Sequence, residues 1–206
     1  MEAAVVPGRF ELPPISTTRY FAFVDPSGGS SDSMTLAIAH REPNGVAILD
    51  AIRERRSPFS PEDVTAEFAS LAKAYRCASV TGDRYGGEWP RERMRTYGIQ
   101  YELAEKPKSD IYRDCLAALN SAKIELLDHP RLVGQICSLE RRTARGGKDS
   151  IDHPPGPNWK DDLANSALAA LLLVGSGPPP LNISDEAMSQ LRAAMMRPSA
   201  QLQRFY

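Results

Sequence analysis

An α/β chain with a mixed central sheet flanked by helices is what the 206-residue sequence predicts, on three observations. Three β-rich runs follow one another near the start, separated only by turn signals. Helical periodicity then alternates with short strands. Finally, the longest apolar run, Leu168 to Val174, lies inside a long helical segment, Asp161 to Val174, that opens on a pair of acids.

The elements follow in order. Residues 1 to 18 are aperiodic and carry Pro7, Pro13 and Pro14, which reads as a leading linker outside the core, with the folded unit starting at Arg19. Tyr20 to Asp25 is a strand ending in an acid; Pro26 to Asp32 is a turn cluster; Met34 to His40 is the second strand. Asn44-Gly45 is a two-residue hairpin signal, and Val46 to Ile52 completes an antiparallel meander. Ser60 caps a helix with Pro61 at its first position and Val64, Phe68, Leu71 and Tyr75 on one face. Ala78 to Asp83 is a fourth strand, again ending in an acid, and Trp89 to Tyr97 a helix stopped by Gly98. Ile99 to Ala104 is the fifth strand, and Ser109 caps a helix running to Asn120. Lys123 to Leu127 is a short apolar stretch, Arg131 to Leu139 is helical or irregular, and Arg141 to Ile151 reads as a basic hairpin tipped by Gly146-Gly147. Residues 176–206 open on a Gly/Pro-rich linker and end in a weak helix or tail.

Composition excludes several classes. With 25 Lys+Arg against 26 Asp+Glu the net charge is −1, so no global basic excess announces nucleic acid, and any such footprint must be local. Three cysteines without a Cys-x-x-Cys pair argue against a secreted disulfide framework and for a reduced, cytoplasmic compartment. Three histidines without ligand spacing argue against a zinc site. No run approaches the roughly 20 apolar residues that span a bilayer, so no membrane role is expected.

The acids carry the chemistry. If the first and fourth strands are neighbours, Asp25 and Asp83 leave the sheet at one edge, and the N-terminus of the last long helix can bring Asp161-Asp162 alongside. Clustered carboxylates repel one another, so such a group is stable at neutral pH mainly when a cation neutralises it, and hard oxygen donors select Mg²⁺ or Mn²⁺. An Asp after a strand or before a helix is also an ordinary turn former or cap. The joint pattern favours a site, because both strand-terminal acids are followed by glycine pairs, Asp25-Pro-Ser-Gly-Gly and Asp83-Arg-Tyr-Gly-Gly, which let backbone approach a phosphate or metal closely.

Three segments, Val24-Asp-Pro-Ser-Gly-Gly-Ser-Ser-Asp-Ser33, Gly82-Asp-Arg-Tyr-Gly-Gly87 and Asp152-His-Pro-Pro-Gly-Pro-Asn-Trp-Lys-Asp-Asp-Leu-Ala-Asn165, occur in an order and spacing that resembles the C-terminal nuclease domain of tailed-phage and prophage terminase large subunits. The resemblance covers residues 19 to 174. It implies an RNase H-like (retroviral-integrase-like) fold over residues 19–175 and a two-metal endonuclease that cuts concatemeric phage DNA during genome packaging. It further implies double-stranded DNA, the portal and the small terminase subunit as partners, and the host cytoplasm as the setting. By motif, Asp25, Asp83 and Asp162 are the catalytic carboxylates and the ligands of two Mg²⁺ or Mn²⁺ ions. Adjacent helical residues point about 100° apart, so Asp162 is expected to ligate directly and Asp161 to assist. Asp32, Asp152 and His153 are expected to support the ligands from around them.

Two departures stand out. Lys160 occupies the place before the acid pair where relatives often carry His, and a cation there can pair with a carboxylate or a phosphate. Gly146-Gly-Lys-Asp149 lacks the spacing and the hydroxyl of a phosphate loop, so packaging-motor translocation is not expected of this chain by itself. DNA contact needs local positive charge, and Arg84, Lys108, Arg141, Arg142, Arg145, Lys148 and Lys160 are the candidates. Two other functions fit the sequence: a junction-resolvase-like nuclease on the same fold, and a non-catalytic module that docks DNA or the portal.

Overall fold

The computed structural model describes residues 1–83, 88–143, 149–156 and 159–176. Its centre is a six-stranded mixed sheet. Three antiparallel strands form the expected meander: β1 (Tyr20–Asp25), β2 (Met34–Arg41) and β3 (Ala47–Arg55). Helix α1 (Pro61–Ala74) returns the chain to β4 (Ser79–Gly82), and α2 (Trp89–Thr96) leads to β5 (Gln100–Leu103). After α3 (Lys108–Asn120) the short β6 (Ile124–Glu125) closes the far edge, followed by α4 (Pro130–Cys137), the hairpin β7 (Glu140–Thr143) with β8 (Asp149–Asp152), and α5 (Asp162–Ser176). Strand order is β5-β4-β1-β2-β3-β6, with β4 parallel to both β1 and β5, and β6 parallel to β3.

Side-chain alternation sorts the sheet into two faces. Ala22, Val24, Leu36, Ile38 and Ala51 pack with Val64, Phe68 and Ala72 of α1 and Met94 of α2. Phe23, Ala37, Ala39 and Leu49 pack with Ile111 and Cys115 of α3, Leu132 of α4, and Leu163, Ala167, Leu168 and Leu171 of α5. Helix α5 lies across β1, β2 and β3 and is apolar nearly all round, as a helix buried between sheet and flanking helices must be.

The start of α1 follows the sequence: the Ser60 hydroxyl accepts the Asp63 N–H and Pro61 stands at the first helical position. Other boundaries move. Ser109 is not the cap of α3, which begins at Lys108 after Pro107; its hydroxyl instead accepts the Ile151 N–H and ties β8 to this helix. The ambiguous stretch after His129 is helical because the His129 ring accepts the Leu132 N–H and Pro130 pre-sets the first turn. Residues 1–18, expected as a linker outside the core, are docked on the body. Ala4 is buried, Val5 bridges Leu126, and the Leu12 N–H donates to the Asp50 carbonyl. Apart from a 3₁₀ turn at Glu2–Ala4 the segment is irregular, as its prolines and aperiodicity forecast; they carry no information about packing. The Asp50 carbonyl is free for Leu12 because the β2–β3 register steps from Ala51 to Leu49, leaving Asp50 as a bulge.

Candidate metal centre at the sheet edge

The parallel pairing of β1 with β4 sets Val24 opposite Gly82, so the acids that follow, Asp25 and Asp83, leave the sheet side by side. Asp25 lies two residues beyond Phe23 and therefore on the face covered by α5. There Asn165, one turn into α5, donates from its amide to Asp25 Oδ2 at 2.8 Å. Thr35, opposite Asp25 on β2, donates its hydroxyl to the Asp162 carbonyl at 2.8 Å, which pins the first residue of α5 to the same edge. Gln135 of α4 caps this helix start by accepting the Ala164 N–H at 3.0 Å.

The neighbouring acids act on Asp25 and Asp162. Burial pushes the Asp25 carboxyl up to about 7 against the Asn165 hydrogen bond, and the charges of Asp162, Asp83 and Asp161 add to the rise. Burial also raises Asp162, with Asp161 and Asp32 contributing, while the Ser33 N–H and Lys160 oppose. Asp162 Oδ2 is buried without a hydrogen-bond partner among the described residues. A buried carboxylate oxygen in that state is costly unless a cation reaches it.

Asp161 is occupied differently. Its Oδ2 accepts the Tyr112 hydroxyl at 2.8 Å and lies 2.9 Å from Lys108 Nζ, which also sits 3.2 Å from Asp152 Oδ1. Ligand atoms of Asp152, His153 and Asp161 lie within 4.8 Å of one another, a grouping that can hold a metal by distance. The Lys108 ammonium already serves as the cation between its two acids, whereas Asp162 Oδ2 has no hydrogen-bond partner among the described residues.

Lys108 therefore faces the acids rather than an open phosphate path. Lys160 pairs with Asp32, whose carboxyl that contact holds below the usual range. Arg141 pairs with Asp149; Arg142 reaches Glu140 and donates to the His153 carbonyl at 2.7 Å. Arg84, Arg145 and Lys148 lie outside the described residues, as do the hairpin tip and residues 177–206. Of the supporting positions, Asp32 touches the centre through its charge on Asp162, and Asp152 and His153 adjoin Asp161.

Sequence reasoning passed over Asn165, Tyr112 and Tyr101. Asn165 stands four residues after Asp161, hence on one helix face with it, and is a polar residue inside an apolar helix; that was its available signal. Tyr101 of β5 donates its hydroxyl to the Asp83 carbonyl at 3.0 Å and crosses over Gly82 to do so; a Cβ there would lie 2.2 Å from the hydroxyl oxygen.

A five-stranded 5-4-1-2-3 arrangement extended by β6, with acids at the ends of β1 and β4 and the start of α5, defines an RNase H-like domain with a carboxylate centre. Solved structures share this fold. The large terminase nuclease from thermophilic phage G20c superposes with a TM-score of 0.64 at 14% identity, covering 79% of this chain and 85% of that one, and it has also been solved with bound magnesium. A mutant nuclease domain of the large terminase subunit of bacterial virus Sf6, solved with manganese, gives 0.63 at 14% identity over 82% and 94% of the two chains. The HK97 bacteriophage large terminase gives 0.63 at 14% identity, covering 85% of this chain and 42% of that one. No protein-family model and no curated protein matches the sequence.

Proposed function

We propose that this chain is a metal-dependent DNA endonuclease of the phage genome-packaging type, with residues 19–175 as the nuclease unit. The observation that carries it is that the β1–β4 pairing and the start of α5 bring Asp25, Asp83 and Asp162 to one sheet edge, near enough for the charges of Asp83 and Asp162 to act on Asp25, with an Asp162 oxygen buried and unpartnered among the described residues. Their donor set, hard oxygens with mutual repulsion, fits Mg²⁺ or Mn²⁺. Asp25, Asp83 and Asp162 would hold two such ions, with Asp161 beside them. Bound there, the ions supply Lewis acidity for in-line hydrolysis of a phosphodiester.

The chain's own residues prepare the site. Asn165 fixes the rotamer of Asp25, Thr35 and Gln135 fix the start of α5, and Tyr101 fixes the backbone of Asp83. Lys108 and Tyr112 hold Asp161 in place, next to Asp162 with its buried, unpartnered oxygen. Double-stranded DNA is the substrate in this reading; the portal and small terminase subunit are the partners in the host cytoplasm, and Arg141, Arg142 and Lys160 are candidates to steer the duplex. No described helix is long and apolar enough to cross a membrane.

Plasmid cleavage by the purified chain tests the proposal, with Mn²⁺, Mg²⁺ or EDTA and beside Asp83→Asn and Asp162→Asn. The expected result is metal-dependent nicking and linearisation, abolished by EDTA and by either variant. Cleavage that survives both substitutions would remove the carboxylate centre from the reaction. DNA binding without cleavage in any metal would favour the docking module.

A further inference from the structure

A trough of about 280 Å³ runs beside the acid cluster, between α4 and the segment that leads into α5. It is lined by Arg131, Gly134, Gln135 and Ser138 on one side and by Trp159 and Lys160 on the other. Three features mark it as more than a surface dent. Trp159 leaves 45% of its surface exposed and shares the lining with two cations, Arg131 and Lys160. Gly134 interrupts a helix where glycine is the poorest former after proline, yet a Cβ there would meet nothing within 4 Å. Packing does not ask for glycine at that position; a side chain would simply fill the trough. The rim also connects with the carboxylates. Arg131 is 3.0 Å from Glu54, Glu54 accepts the Ser33 hydroxyl at 2.9 Å, and the Ser33 N–H reaches Asp162. Lys160 pairs with Asp32 on the other side.

We propose that this trough seats one unpaired nucleotide of the DNA strand, its base stacked on Trp159 and its phosphates shared between Lys160 and Arg131. The inference rests on the nuclease reading and extends it. An exposed indole offers a π-face to any base, without sequence preference, and only an unpaired base has a free face to give. The cations of the rim are held by one carboxylate each, Asp32 and Glu54, and half-exposed, so a phosphate oxygen can be added to their contacts. The volume lies just under the about 300–1,000 Å³ of small-ligand sites, which suits one base with its sugar. Gln135 has committed its oxygen to Ala164, which leaves its amide NH₂ as the donor of that side chain.

The test uses the full chain carrying Trp89→Phe, which leaves Trp159 as the one indole of the two in the sequence. Emission is followed in EDTA while a single-stranded 12-mer, a blunt duplex of the same sequence and a duplex with an unpaired overhang are added. Single strand and overhang are expected to quench Trp159; the blunt duplex is not. Gly134→Leu should weaken single-strand binding, read by anisotropy of labelled DNA, by about tenfold or more, with thermal melting unchanged. Should Gly134→Leu fail to melt cooperatively, Trp159→Ala, at an exposed position, gives the same readout. Absence of quenching by the single strand, equal quenching by the blunt duplex, or affinity kept within twofold in the folded variant would overturn the proposal. Because these titrations need no metal, quenching without any plasmid cleavage counts against the nuclease reading alone. Cleavage without quenching counts against the trough alone.

Discussion

Lys108→Met probes the arrangement that separates the roles of the two adjacent acids. Asp161 is buried, and the ammonium 2.9 Å from its Oδ2 is its only ion-pair partner among the described residues. Removing one partner of a fully buried pair costs about 3–5 kcal/mol. Lys108 keeps 32% of its side chain exposed and Asp161 retains the Tyr112 hydroxyl, so the expected loss falls below that range, at about 2–3 kcal/mol. Asp161→Asn, which keeps a hydrogen-bond acceptor for Tyr112 but discards the charge, should cost about 1–2 kcal/mol, because the ammonium then keeps only the half-exposed Asp152 as its acid. The double variant has neither stranded charge. Its cost should fall short of the sum of the single costs by about 1–2 kcal/mol, well outside the roughly 0.3–0.5 kcal/mol scatter of independent sites. Urea unfolding in EDTA, at one pH and with m-values compared, measures all four corners of the cycle. Additive losses would refute the idea that Lys108 is the cation of Asp161 and would return it to the DNA-contacting role expected from sequence.

Two further outcomes follow, one from the contact behind Asp83 and one from a buried pair away from the carboxylates. Gly82→Ala puts a methyl 2.2 Å from the Tyr101 hydroxyl, and overpacking of this kind costs about 1–3 kcal/mol; urea unfolding should show that loss, and adding Tyr101→Leu should recover part of it. The buried His40–Asp50 pair gives stability a pH dependence. Burial works against a charged His40, but the hydrogen bonds and charges of Asp50 and Glu42 outweigh it, so its value is raised; burial raises Asp50 as well. Both shifts mean that the folded state binds more protons than the unfolded one: the Asp50 contribution is present below the ordinary carboxylate value of 3.8 and the His40 contribution below the ordinary value of 6.5, each being lost as pH rises through its raised value. The unfolding free energy of the wild type minus that of a His40→Gln/Asp50→Asn variant should therefore fall across those windows; a flat or rising difference would contradict the assignment.

The meander, α1, α2 and α5 were legible because each rests on local chemistry: strand alternation, Asn44-Gly45, the Ser60-Pro61 start, the apolar run after Asp162. The adjacency of Asp25 and Asp83 was legible as a conditional, since it needed only that β1 and β4 be neighbours. What stayed hidden depends on partners far away in the chain. Nothing near Lys108 announces Asp161, and nothing near Tyr112 announces that its hydroxyl meets the same carboxylate. Ser109 has the right identity for a cap, yet Pro107 already sets the turn and the hydroxyl is taken by Ile151. Prolines forecast irregular backbone in residues 1–18 correctly while saying nothing of the Val5–Leu126 bridge, whose partner is more than a hundred residues away.

That long reach bears on how the chain acquires its shape. The β1–β2–β3 meander closes over short loops, so it can form early at little entropic expense, whereas β6 joins β3, and α5 joins β1, only after most of the chain has been spanned. Asp25 thus belongs to the earliest local unit and Asp162 to the latest arrival, and the repulsive carboxylates meet only once the apolar body of α5 is there to hold them. Until then that helix and the sheet face it covers are both bare hydrophobic surfaces, and such surfaces are prone to aggregate. A divalent cation present during refolding should accelerate the final docking step and leave the meander's formation untouched.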